Sequence, residues 1–156
     1  MSKGKKDSKI TFKEAVEQTP DISNAYRTGL QALGSYSDKV SLGDARLCEG
    51  SVDIDAATVT IYAQANRWDY CISYKGEAYF VEVHSANTGE VSTVLKKLSW
   101  LKKWLHQNAP LISPRRAKSN PFYWIQSNGF HILPNSAQYR QVVQQRIKPI
   151  SKLHLP

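Results

Sequence analysis

Asp69, Glu82 and His84 are the residues whose types and spacing can do chemistry together. Asp69 stands in the strand-like run Arg67 to Tyr74 and Glu82 in the next one, Ala78 to Ser85; Tyr74-Lys75-Gly76-Glu77 between them reads as a hairpin turn. Antiparallel pairing across that turn makes the two carboxylates neighbours, and the two-residue strand period puts His84 on the face of Glu82. Two carboxylates on adjacent strands offer the oxygen ligands that Mg²⁺ or Mn²⁺ prefers. Such an ion polarises a phosphate and lowers the pKa of an attacking water. Glu82 is the more telling of the pair, because Phe80, Val81 and Val83 form the continuous apolar run of a central strand. The plainer alternatives are an Asp69 paired with Arg67 or a turn amide, and a His84 that makes one strand-end hydrogen bond. With an ordinary pKa of about 6.5, His84 is mostly neutral at pH 7 and able to act as a base.

The elements that must position these residues are legible in outline. Ile10 to about Leu33 has helical spacing, interrupted at Thr19-Pro20-Asp21, which predicts one broken helix or two short ones. Val52 to Ile54, Ala57 to Ala63 and the two runs above predict strands. Asp53 and Asp55 alternate with Val52 and Ile54 and are expected to face solvent. From Thr88 to about His106, Val91, Val94, Leu95, Leu98, Leu101 and Leu105 share one helical face, with Asn87 and Glu90 spaced as a capping box. Lys96, Lys97, Trp100, Lys103 and Trp104 are expected on its outer faces, while Lys102 projects onto the apolar arc and must snorkel. Pro110 to Pro121 reads as a mobile loop. Phe122 to Ile125 and Gly129 to Leu133 read as two short strands or a hairpin about Ser127-Asn128-Gly129, and Ser136 to Ile147 as a closing helix. One α/β domain over residues 10–156, behind a basic disordered tail at 1–9, follows.

Asp69, Glu82 and His84, followed at once by the helix from Thr88, resemble the PD-(D/E)xK, or restriction endonuclease-like, nuclease superfamily. Its motif is an Asp, a hairpin, then Glu-x-Lys entering a helix. The resemblance covers about residues 11 to 133 as an order of elements, while the motif itself is three positions. It implies an αβββαβ core, a central mixed sheet flanked by helices, and metal-dependent endonuclease activity on DNA, or on RNA. By position it implies Asp69 and Glu82 as metal ligands, the Val83 carbonyl as a third, and Glu17, or else Glu14, as the helical acid near the metal. Lys96-xxx-Trp100 stands where some members carry Gln-xxx-Tyr. Two departures matter: Trp68 replaces the Pro before the Asp, and His84 stands where the catalytic Lys belongs.

Charge points to the same substrate. Residues 1–90 hold 10 Lys/Arg against 13 Asp/Glu and residues 91–156 hold 11 against none, so the halves carry −3 and +11 within a net +8. A half without carboxylates has few internal partners for its cations, and clustered Lys and Arg are rewarded by phosphate rows through counterion release. Lys96, Lys97, Trp100, Lys103, Arg115, Arg116 and Lys118 are the expected nucleic-acid contacts. Solvated cations, or cations paired with the first half, are the alternative. Cys48 and Cys71 lack metal spacing and read as buried thiols. No apolar stretch follows the basic start, so neither a secretory signal nor a membrane helix is expected, and a cytoplasmic protein is. No nucleotide-binding loop, Ser or Cys triad, or haem or flavin motif is present. Three readings remain open: a Mg²⁺-dependent endonuclease, a non-cutting relative that binds nucleic acid or a protein, and an assembly protein whose Trp100 and Trp104 pack against a second copy, as in a homodimer, or against a larger partner.

Overall fold

A computed structural model describes residues 10–156; the expected tail at 1–9 lies outside the described residues. Its centre is a five-stranded mixed sheet in the order β1-β3-β4-β5-β6, built from β1 (Tyr26–Thr28), β3 (Cys48–Asp53), β4 (Tyr70–Tyr74), β5 (Glu77–Asn87) and β6 (Phe122–His131). The first three junctions are antiparallel and β5–β6 is parallel. The helices are α1 (Phe12–Glu17), α2 (Ile54–Thr58), α3 (Val91–Asn108) and α4 (Ala137–Gln144).

The β4–β5 turn is as its residues predict. Lys75 and Gly76 both take positive φ, 51° and 78°, the backbone that a two-residue hairpin of right-handed twist requires. It fixes the register Tyr70↔Val81. β5 is buried on both faces. Phe80, Ala78 and Ala86 meet α3 through Val94, Leu98 and Leu101, whereas Val81 and Ile72 meet Leu33, Val40, Leu153 and Leu155 on the far side. Two short strands there, β2 (Val40–Leu42) and β7 (Leu153–Leu155), pair in parallel.

Several expectations are corrected. The first helix stops at Glu17, and the chain continues through a 3₁₀ turn at Pro20–Ile22 into β1 and a second 3₁₀ segment, Gln31–Lys39. Ala57 to Ala63 is not a strand. The Asp53 carboxylate accepts from Ala56 N at 2.8 Å and caps α2, so the alternation of Asp53 and Asp55 is that of a helix start. Asp55 pairs with Arg67 at 2.8 Å. Asp69 lies one residue before β4. Ser127-Asn128-Gly129 is a bulge inside one strand, where His84↔Gln126 steps to Ala86↔Phe130 and Gly129 takes φ 101°. No side-chain bond caps α3 at Asn87, because Glu90 turns to His84 instead. Trp104 is buried, its indole N–H donating to Asp21 Oδ2 at 3.0 Å, where Tyr62 OH also donates at 2.6 Å. Lys102 does snorkel, its ammonium 5.4 Å from the centre of the Phe122 ring. Pro110 to Pro121 is tied down by Ala117 N bonding Ala78 O at 2.9 Å. Both cysteines are buried free thiols. Among the described residues no helix is long and apolar enough to cross a membrane.

Candidate active site

The β4–β5 register, continued one step past Tyr70↔Val81, sets Asp69 opposite Glu82. The two residues interlock. Asp69 N–H donates to Glu82 Oε1 at 3.1 Å, and Val83 N–H donates to Asp69 Oδ2 at 3.0 Å. Asp69 O also accepts from Ile54 N at 2.8 Å, so the start of α2 is fastened to the same residue.

Glu82 is fully buried, on the face of β5 that α3 covers. A buried carboxylate requires charged or hydrogen-bonding partners. The principal one is Lys97 of α3, whose Nζ lies 2.5 Å from Glu82 Oε2. His84 adds a second contact: Nδ1 is 3.4 Å from Glu82 Oε2, and Nε2 is 2.6 Å from Glu90 Oε1. Trp124, opposite Glu82 on β6, closes the end of the cluster with its indole N–H on His84 O at 3.0 Å.

The electrostatics follow from this crowding. Burial, then the Glu82 charge, push the Asp69 carboxyl up to about 7, with Lys97 and the Val83 amide pulling the other way. The contact with Glu82 raises His84, burial opposes the charge, and Glu90 adds to the rise. Burial works against the Lys97 ammonium, yet Glu82, Asp69 and Asp55 outweigh it and the pKa is raised. His84 and Lys97 are thus both favoured as cations, beside an Asp69 carboxyl that keeps its proton more readily than an isolated acid.

Asp69 and Glu82 are the residues whose oxygens could hold a hard divalent cation. A carboxylate has about four lone-pair sites. Glu82 commits three, to Asp69 N, Lys97 and His84, while Asp69 commits one, to Val83 N. The lone pairs left over are of the kind offered to an ion that keeps several waters and takes one or two carboxylates. Among the described residues no three His, Cys, Asp or Glu side chains gather as a metal cage.

Other expected residues are placed elsewhere. Glu17 and Glu14 are exposed on α1; Glu14 is half of a capping box with Thr11, and the charges acting on Asp69 are Glu82, Lys97 and Asp55. Lys96, Lys103, Arg116 and Lys118 are exposed. Arg115 donates to Ile10 O, and Trp100 stacks on Trp104 at 5.8 Å. Lys97 is the residue that sequence reasoning assigned to the outer surface and that the fold brings into the cluster. A signal was present: 94, 97, 101 and 104 lie three or four residues apart on one stripe of α3, and Val94, Leu101 and Trp104 are buried. No protein-family model, curated protein or solved structure matches this chain.

Proposed function

We propose that the protein is a metal-assisted nuclease of the PD-(D/E)xK type, hydrolysing phosphodiester bonds of nucleic acid, with Lys97 in the role that the motif gives to the position of His84. The observation that carries this reading is the meeting of Asp69, Glu82 and Lys97 from three separate elements. The antiparallel β3-β4-β5 run, followed by α3 and a parallel β6, supports it as an order of elements.

Asp69, Glu82 and the Val83 carbonyl would hold Mg²⁺ or Mn²⁺, which would polarise the phosphate and lower the pKa of a water. Every other part is the chain's own. The Asp69 and Val83 amides fix both carboxylates, so little reorganisation is left for the reaction. Lys97 keeps a positive charge within reach of charge developing on a phosphate, and the apolar α3–sheet interface strengthens its field by excluding water. His84, clamped between Glu82 and Glu90, orients Glu82 and adds a second cation.

A second reading, a non-cutting nucleic-acid-binding relative, is favoured by one observation: both oxygens of Glu82 already have protein donors. One experiment separates the two. Wild-type protein, Glu82→Gln and Lys97→Met are incubated with labelled single- and double-stranded DNA and RNA in Mg²⁺, Mn²⁺ or EDTA. The nuclease reading expects metal-dependent cutting, abolished in Glu82→Gln and reduced on the order of 10²–10³-fold in Lys97→Met. Retardation without cutting in any metal would refute it in favour of the binding relative.

A further inference from the structure

We infer that a cavity at the end of β1 and β3 takes the base of a guanine nucleotide, with Asp53 on its N1/N2 edge and Arg27 on its O6/N7 edge. The inference deepens the reading above, on which it rests for the source of that base, a nucleic-acid strand and not a free nucleotide. The cavity measures about 500 Å³ and lies among the 3₁₀ turn at Pro20–Ile22, the start of β1, Gln31 and α2. That is the size class of a small-ligand pocket, about 300–1,000 Å³. Asp53 is in register with Tyr70, and Ile54 N bonds Asp69 O at 2.8 Å. One wall of the cavity is therefore fastened to the residue proposed to hold the metal.

The observation that carries it is a pair of opposite charges that line one cavity and do not meet. Arg27 and Asp53 both line it, yet among the described residues neither forms an ion pair. The register explains the separation. Arg27 stands opposite Ser51, so Asp53, two residues on, is its diagonal neighbour on the same face, about 7–8 Å away. Backbone bonds then hold each side chain where it is. Arg27 Nη1 donates to Tyr26 O at 2.8 Å and to Asn24 O at 3.3 Å, which leaves the Nε–Nη2 edge of the fork. Asp53 Oδ1 accepts from Ala56 N at 2.8 Å as the cap of α2, which leaves Oδ2 and one lone pair of Oδ1. Asp21 is the other charged residue of the lining, and its Oδ2 is already occupied by Tyr62 OH and the Trp104 indole.

A ligand that bridges the two must offer a pair of donors to the carboxylate and a pair of acceptors to the guanidinium edge. Guanine does both: N1–H and the N2 amino group are adjacent donors, and O6 and N7 are adjacent acceptors that arginine takes bidentately. No other base satisfies both side chains twice. Ala32, Ala56 and Ala57 add apolar lining of little bulk, against which a planar ring can lie. A few placed polar groups on an apolar wall are what fix the orientation of a small ligand.

The test is calorimetric titration of GMP, AMP, IMP and 7-deaza-GMP into the protein in EDTA, so that neither metal nor cleavage intervenes. GMP should bind at least about tenfold more tightly than AMP, the lower part of what one bidentate base contact gives. IMP lacks the N2 amino group and 7-deaza-GMP lacks the N7 acceptor, so each should lose about tenfold in wild type. The IMP loss should vanish in Asp53→Asn and the 7-deaza loss in Arg27→Lys. Asparagine caps a helix as aspartate does, and lysine keeps the charge while losing the fork, so neither variant should lose the fold. Anisotropy of a fluorescent oligothymidylate about ten nucleotides long, with and without one central deoxyguanosine, identifies the source. The guanine-bearing strand should bind more tightly than the plain strand and than GMP. Equal binding of GMP and AMP, or analogue losses that persist in the variants, would overturn the guanine site; GMP held more tightly than the strand would overturn the strand as its source. The nuclease reading stands or falls separately, on cutting in Mg²⁺: cutting without selection of guanine would overturn this inference alone, and guanine bound without cutting would overturn the nuclease reading alone.

Discussion

Replacing Lys97 by Met keeps most of the side-chain stem and removes the charge opposite Glu82. Losing one partner of a buried ion pair costs about 3–5 kcal/mol, because the survivor cannot regain water. Here Glu82 is fully buried, while the Lys97 side chain is 18% exposed. Glu82 also keeps the Asp69 amide at 3.1 Å and His84 Nδ1 at 3.4 Å, both of which go on offsetting its charge. The loss therefore falls toward the lower end, about 2–4 kcal/mol. Adding Glu82→Gln removes the stranded charge, so the double variant should recover part of the loss, with a coupling of about 1–3 kcal/mol. Urea unfolding at pH 7.5 measures both quantities, provided the slope against denaturant stays common to all four proteins. Acidification supplies an internal control. Lys97 holds the Asp69 pKa down, so without it Asp69 takes up a proton more readily and the gap to wild type narrows as pH falls. A loss below about 0.5 kcal/mol is what an exposed pair gives. That result would refute the buried Lys97–Glu82 contact and remove the cation from the proposed site.

The pH dependence of the wild type carries a sign opposite to ordinary acid denaturation. Asp69 is raised from 3.8 to about 7 and His84 is raised above 6.5. Between pH 4 and 7 the folded chain thus holds protons that the unfolded chain releases, and stability should grow as pH falls from 8 to 5; a steady loss of thermal midpoint over that window would refute it. Mg²⁺ at pH 8 should raise the midpoint of wild type and leave Asp69→Asn unmoved, and equal shifts in both would dissociate the ion from Asp69. Gly50→Ala tests the fold itself. Its Cβ would stand 2.3 Å from Tyr26 Cε1 and 2.7 Å from the Arg27 carbonyl oxygen, so β1 must part from β3. A cost of roughly 1–3 kcal/mol is expected in thermal melts, with an unchanged midpoint as the refuting result.

The carboxylate pair was legible in the sequence because a two-residue turn fixes a register. Once Lys75-Gly76 is read as the turn, Asp69 and Glu82 oppose one another whatever the rest of the chain does. Lys97 was harder, since its meaning depends on where α3 lies on the sheet, which no local pattern states. The stripe 94-97-101-104 marked it, but a lysine on a helix carrying Lys96, Lys102 and Lys103 reads first as solvated charge. Asn128-Gly129 misled for a related reason. The dipeptide reports only that positive φ is needed, and the fold uses it for a bulge. β2 and β7 are three residues each, too short for periodicity to speak.

The mutual hold of Asp69 and Glu82 bears on how the site can be altered. The β4–β5 ladder ends at Tyr70↔Val81, and the next two bonds across the pair run from backbone amides to side-chain carboxylates. The acids that would bind a metal therefore also continue the sheet for one more step, and through Asp69 O they fasten the first turn of α2. An alanine at either position would leave a partly buried amide without its acceptor, at about 1 kcal/mol or more, before any chemistry is affected. Asparagine and glutamine preserve an acceptor oxygen while removing the charge. Loss of cleavage in Asp69→Asn or Glu82→Gln, with the fold retained, would thus report on charge at the site, whereas the same loss in an alanine variant would confound chemistry with the opening of the sheet.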